Sequence, residues 1–117
     1  MTNITILHNP RCSKSRETLA LIQAKSDNIN IVEYLKNPPT EAEISNILNL
    51  LGLTARQLMR TKEDEYKAQN LQDESLTESQ LILAMVNTPK LIERPIVLAN
   101  GKAAVGRPPE NVLAIIE

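Results

Sequence analysis

The stretch NITILHNPRCSKSRETLALIQA, residues 3–24, decides the reading of the fold. It opens as a strand. From Asn3 to Leu7, Ile4 and Ile6 fall on one face and Thr5 and Leu7 on the other. Pro10 ends that run, because proline has no N–H to give to a ladder. From Ser13 to about Ala24 the period lengthens to that of a helix, with Leu19, Leu21 and Ile22 set among Lys14, Arg16 and Glu17. At the junction stands Cys12, the only cysteine, four residues after His8, the only histidine.

Working outward, Ile29 to Leu35 is again rich in strand formers. Strand, helix and strand make a βαβ unit, which requires parallel strands and a right-handed crossover. Asn37-Pro38-Pro39 then breaks the chain. Thr40 and Glu43 have the spacing of a capping box ahead of Ile44, Ile47, Leu48 and Leu51, and Gly52 suits the position after a helix end. Thr54 with Gln57 and Thr77 with Gln80 repeat the box, so residues from about 40 to 88 read as a helical block with two further short helices. Pro95-Ile96-Val97-Leu98 returns to strand character. Asn100-Gly101 is a strong hairpin signal leading into Ala103–Val105. A last helix carries Val112, Ile115 and Ile116 behind Pro108 and Pro109. The order βαβ, helical block, ββα predicts an α/β protein of the thioredoxin-like class. Its four-stranded mixed sheet and helical insertion at about 40–88 would form one domain over residues 1–117.

Composition narrows the function. Tyr34 and Tyr66 are the only aromatic residues, so the core must be aliphatic, and a 42% hydrophobic content can supply it. A net charge of −1 gives no electrostatic reason to expect nucleic acid or an acidic membrane surface. No apolar run approaches the ~18–20 residues that span a bilayer, and MTNITILHNP lacks the basic start of a signal peptide. A lone cysteine forms no internal disulfide. The expectation is a cytoplasmic protein, taken as a monomer.

A single cysteine is commonly a small buried hydrophobe. The neighbours of Cys12 argue otherwise: Asn9, Pro10, Arg11, Ser13, Lys14, Ser15 and Arg16 make a poor apolar wall. At a helix N-terminus the unpaired N–H groups and nearby cations favour the thiolate, and Ser13 and Ser15 could donate hydrogen bonds to it. His8 is either a plain strand-end imidazole or a neighbour that lowers the thiol pKa when charged. One cysteine and one histidine fall short of a metal site. Two nucleophile chemistries fail on spacing. A phosphate loop needs Arg six positions after the cysteine, where Thr18 stands, and dithiol exchange needs a cysteine where Ser15 stands. Any second thiol must come from outside the chain.

Five blocks in order, NPRCSKSRETL at 9–19, YLKNPPT at 34–40, RQLMRTKEDEY at 56–66, LIERPIVL at 91–98 and VGRPPENVL at 105–113, make the sequence similar to the glutaredoxin-coupled arsenate reductase family over nearly its whole length. The resemblance implies a thioredoxin-like fold and an arsenic-resistance oxidoreductase that reduces arsenate to arsenite with glutathione as co-substrate, glutaredoxin as partner and no bound cofactor. It implies Cys12 as nucleophile, supported by His8 and Ser15, and Arg60, Arg94 and Arg107 as oxyanion ligands. The arginines suit the task, because guanidinium forks match oxyanion oxygens better than ammonium does. Arg94 and Arg107 each precede a proline, which steers their backbones to extended geometry. Arg60, in RTKEDE, rests on the resemblance alone. A cis bond is expected at Arg94-Pro95, since thioredoxin-like folds carry a cis-proline facing the thiol. Two rivals share the fold: a regulator that binds RNA polymerase, and a thiol oxidoreductase with another substrate.

Overall fold

The computed structural model describes residues 3–116. The chain divides into two compact units, one formed by Met1–Asn37 with Arg94–Glu117, the other by Pro38–Glu93.

In the first unit, β1 (Ile4–Leu7) leads through a short loop to α1 (Ser13–Gln23) and back to β2 (Ile29–Val32). Then come β3 (Ile96–Ala99), β4 (Lys102–Val105), a 3-10 turn over Pro109–Val112 and a single turn of helix at Leu113–Ile116. The sheet order is β2-β1-β3-β4. The β1–β2 pair is parallel and the other two pairs are antiparallel, so the sheet is mixed, as the βαβ and ββα patterns require. Ile4 and Ile6 face a core completed by Val97 and Ala99 of β3, Ile22 of α1, and Val112, Ile115 and Ile116 of the C-terminal segment. Asn100 and Gly101 both have positive φ, 53° and 72°, the geometry of a two-residue primed hairpin turn.

Differences from the sequence reading lie at element ends. The second strand stops at Val32 rather than Leu35, because Lys36 and Asn37 N–H both donate to Glu33 O and turn the chain. The first half of the last helix is a 3-10 turn, which follows the prolines at its start. The Arg94-Pro95 bond is cis, as expected, and so is Arg107-Pro108.

The second unit is helical. The capping box of α2 (Glu41–Leu51) closes at both ends: Glu43 N–H donates to Thr40 Oγ1 at 3.2 Å, and Thr40 N–H donates to the Glu43 carboxylate at 3.0 Å. The same device starts α3 (Ala55–Leu58) at Thr54; after α4 (Asp64–Ala68), it starts α5 (Glu78–Asn87) at Thr77. Both α2 and α3 pack on α5, burying Ile44, Ile47, Leu58, Leu81 and Met85. The residues of α4 carry no apolar period that would mark it as a helix: of DEYKA only Tyr66 is buried. Arg56 fixes the loop that follows, donating to Tyr66 Oη, Leu71 O and Asp73 O. No helix is long and apolar enough to cross a membrane among the described residues.

One close approach joins β4 to α1. Gly106 N–H donates to Pro95 O at 2.9 Å. A Cβ at Gly106 would stand 2.5 Å from Thr18 Oγ1 and 2.8 Å from Pro95 Cγ. Thr18 is fully buried, and its hydroxyl is committed to Lys14 O at 2.8 Å, so it has little room to move. Gly106→Ala should therefore destabilise the protein by about 1–3 kcal/mol, the usual cost of overpacking. A urea titration that places the variant's midpoint at the parent's would refute the contact.

Candidate active site

Cys12 is the N-cap residue of α1, with extended backbone (φ −95°, ψ 123°). The five residues before α1 form a braced loop. His8 N–H donates to Val32 O at 2.8 Å, prolonging the strand pairing by one residue. Cys12 N–H donates to Asn9 O at 3.0 Å, while Asn9 Oδ1 accepts from Arg11 N–H at 3.0 Å. Asn9 N–H donates to Ser15 Oγ at 3.0 Å, and the same hydroxyl meets His8 Nδ1 at 2.7 Å. Asn9 is a structural member of the site that sequence reading passed over. An Asn before proline at a strand end was its signal, since such side chains hold turns through their own backbone.

This network assigns roles. The Ser15 hydroxyl is engaged by His8 and Asn9, so the sulfur is served by the backbone instead. No close capping hydrogen bond forms at the thiol, yet the N–H groups of Ser15 and Lys14 lie where they favour its charged form. His8 contacts Ser15; burial pushes its pKa down, Glu33 pulls it up, and Arg16 pushes it down again, leaving it lowered. The ring thus contacts Ser15, and its lowered pKa disfavours the charged form that would bring a cation toward the sulfur.

The cations come from the arginines before the two prolines. Burial pushes the Cys12 thiol up, but the Ser15 N–H, the Arg94 guanidinium and the Lys14 N–H outweigh it, and the net shift is downward. Arg94 is half-buried; burial opposes its charge, while the Cys12 sulfur and the buried Tyr34 phenol reinforce it, so its pKa is raised. Arg107 donates from Nε to Arg94 O at 2.8 Å, and its Nη2 stands 3.9 Å from Cys12 Sγ. That separation is at the long limit for an N–H···S contact and Arg107 is exposed, so of the two guanidinium groups Arg94 gives the sulfur the stronger support, beside the Ser15 N–H. Cys12, Arg94 and Arg107 thus meet within one unit. Arg60 belongs to the helical unit. There Nη1 pairs with Glu93 at 2.9 Å, Nη2 pairs with Glu63 at 3.4 Å, and the side chain is only 20% exposed. It is no ordinary solvated charge.

A family model described as the ArsC family matches residues 7–115. The chain is 50% identical to the arsenate reductase of Neisseria meningitidis serogroup B, covering 99% of this chain and 100% of that one. It is 56% identical to the uncharacterized protein YfgD of Escherichia coli K12, over 97% and 96% of the two chains. Among solved structures, the arsenate reductase from Vibrio cholerae is 48% identical and superposes with a TM-score of 0.94 over 97% of this chain and 98% of that one.

The thiol's environment makes a direct prediction. Alkylation of Cys12 followed against pH should show a midpoint below the ~8.5 of a free cysteine. Arg94→Ala should move that midpoint upward, whereas Arg107→Ala should move it less. Equal midpoints in the parent and Arg94→Ala would remove the ion pair from the account.

Proposed function

The chain belongs to the ArsC family, and we propose that it reduces arsenate to arsenite through a Cys12 thiolate, with glutathione and glutaredoxin supplying the electrons. One observation carries this reading: a sulfur whose pKa is lowered stands with two guanidinium groups, Arg94 and Arg107, at the start of a helix. Such a cluster attracts a tetrahedral oxyanion and holds it against the nucleophile, which is the larger part of what an attack needs.

In the first step the thiolate attacks arsenic. An oxygen ligand leaves as water with protons from the solvent, and arsenic stays five-valent. A glutathione thiolate then attacks the Cys12 sulfur. The S–As bond breaks and its electron pair stays on arsenic, which leaves as three-valent arsenite. The two sulfurs, each oxidised by one electron, are joined as a mixed disulfide. Glutaredoxin takes the glutathione from it and returns Cys12 to the thiol. The chain's own part is to ionise, bind and orient. Ser15 and His8 hold the loop that presents the sulfur, and Arg94 and Arg107 bind the oxyanion. The family resemblance adds Arg60 as a third oxyanion ligand. The lone cysteine supports an external reductant, because no second thiol exists in the sequence.

The test is arsenate-dependent oxidation of NADPH by the purified protein with glutathione, glutaredoxin and glutathione reductase. Cys12→Ser should lose all turnover and keep the fold. Arg94→Ala and Arg107→Ala should each raise the apparent KM for arsenate about 10-fold or more, since a charge-assisted hydrogen bond contributes roughly 1.5–3 kcal/mol. Lysine at either position should recover only part of that, having charge but no fork. Arg60→Ala should act in the same direction. Parent protein that leaves arsenate untouched under these conditions would overturn the assignment.

A further inference from the structure

A cavity of about 250 Å³ opens beside the loop that ends in Cys12. Its walls come from the loop itself, His8 to Arg11, and from the turn after β2, which supplies Glu33, Leu35 and Lys36. Arg11 and Lys36 are exposed cations. Lys36 reaches Glu33 at 3.6 Å, and both ends of that pair are open to solvent, so it is a weak contact that a ligand can replace. Leu35 is 44% exposed, and with Pro10 it gives the cavity an apolar surface. Glu33 in the wall disfavours a free oxyanion here. Two cations, one carboxylate and an apolar floor instead suit a short zwitterionic peptide with two carboxylates and one amine.

The lone cysteine supplies the second half of the case. Cys12 is only 9% exposed, with Arg94 and Arg107 on the sulfur, so an outside thiol needs a guided approach. We propose that this cavity docks the outside thiol as a small anionic peptide of the glutathione type, Arg11 and Lys36 holding its carboxylates and Glu33 its amine. The cavity is smaller than the ~300 Å³ at which pockets begin to enclose whole ligands. It therefore seats the middle of the peptide against Pro10 and Leu35 and leaves the charged ends at the rim. The proposal rests on the reading of Cys12 as a nucleophile served by an external thiol.

An arsenate-free experiment separates the two. Cys12 is first converted to its mixed disulfide with 2-nitro-5-thiobenzoate. Glutathione is then added, and the coloured thiolate is followed as it leaves. The entering thiolate attacks the Cys12 sulfur, the new S–S bond forms as the old one breaks, and the electron pair departs with the aromatic thiolate. The rate should saturate with glutathione and stay linear with 2-mercaptoethanol. In Arg11→Ala, Lys36→Ala protein the second-order rate constant for glutathione should fall about 10-fold, with that for 2-mercaptoethanol within two-fold of the parent. Glutathione rates that are linear and unchanged in the variant overturn the docking site. A parallel fall for both thiols also overturns it, because it reports access to the sulfur and not recognition. If glutathione is recognised here while arsenate is not reduced, the docking site stands and the arsenate assignment falls. Arsenate turnover with no glutathione saturation gives the reverse.

Discussion

A cysteine sulfur that is nine-tenths buried can carry a charge only if it recovers the solvation it has lost, and the unit that holds Cys12 is arranged around that demand. Burial alone would hold Cys12 as a neutral thiol. Ser15 and Lys14 answer through the start of α1, and Arg94 answers with a charge. Each of these depends on something further back. The α1 N-terminus is in place because the loop from His8 is tied to Val32 and to Ser15. Arg94 is half-buried beside the Tyr34 phenol, so less of its strength is screened by water. The segment just after β4, which bears Arg107, approaches α1 closely only because position 106 has no side chain to meet Thr18. A glycine, a buried threonine and a buried tyrosine, none of them reactive, thus hold the geometry of one sulfur.

His8 illustrates how such a network divides labour. Its Nδ1 is joined to Ser15 Oγ, and that bond survives either protonation state. A neutral ring accepts from the hydroxyl, and a charged ring donates to it. The hydroxyl oxygen meanwhile accepts from Asn9 N–H in both cases. The imidazole therefore secures the loop across the pH range in which its own charge changes, and the thiol's charge is left to Arg94 and the helix.

Much of this was legible in the sequence, and the reasons differ from residue to residue. The sheet was readable because Ile4 and Ile6 flank the less buried Thr5, because Val97 and Ala99 flank the less buried Leu98, and because Asn100-Gly101 permits one kind of turn. The α2, α3 and α5 starts were readable because Thr with Glu or Gln three residues on is a local, reciprocal bond pattern. Cys12 was readable from its polar company. Failures occurred where the deciding partner is remote or the segment is polar throughout. Nothing in DEYKA announces α4, which buries a single tyrosine. The pairing of Arg60 with Glu93 spans 33 positions, and that of Arg107 with Cys12 spans 95. The role of Tyr34 against Arg94 was equally invisible, since a tyrosine in YLKNPPT reads simply as an aromatic strand residue.

Charge counting explains why one arginine would not suffice for the proposed reaction. The thiolate brings −1 and an arsenate dianion −2, against +2 from Arg94 and Arg107. The start of a helix adds roughly +0.5, so about half a charge remains unmatched when both anions are present. Part of that mismatch drives the chemistry, because forming the S–As bond spreads the thiolate's charge onto the oxygen that departs with protons. The rest falls to a further cation. Arg60, which the family resemblance assigns to this task, is already matched by Glu63 and Glu93 in its own unit. To serve as an oxyanion ligand it would have to exchange at least one carboxylate for the oxyanion. That exchange costs less than ordering a free arginine, since the side chain is already partly desolvated and held in place. The carboxylates of Glu63 and Glu93 hold the Arg60 side chain in place, and any affinity it lent an oxyanion would be the difference between two anions competing for one fork.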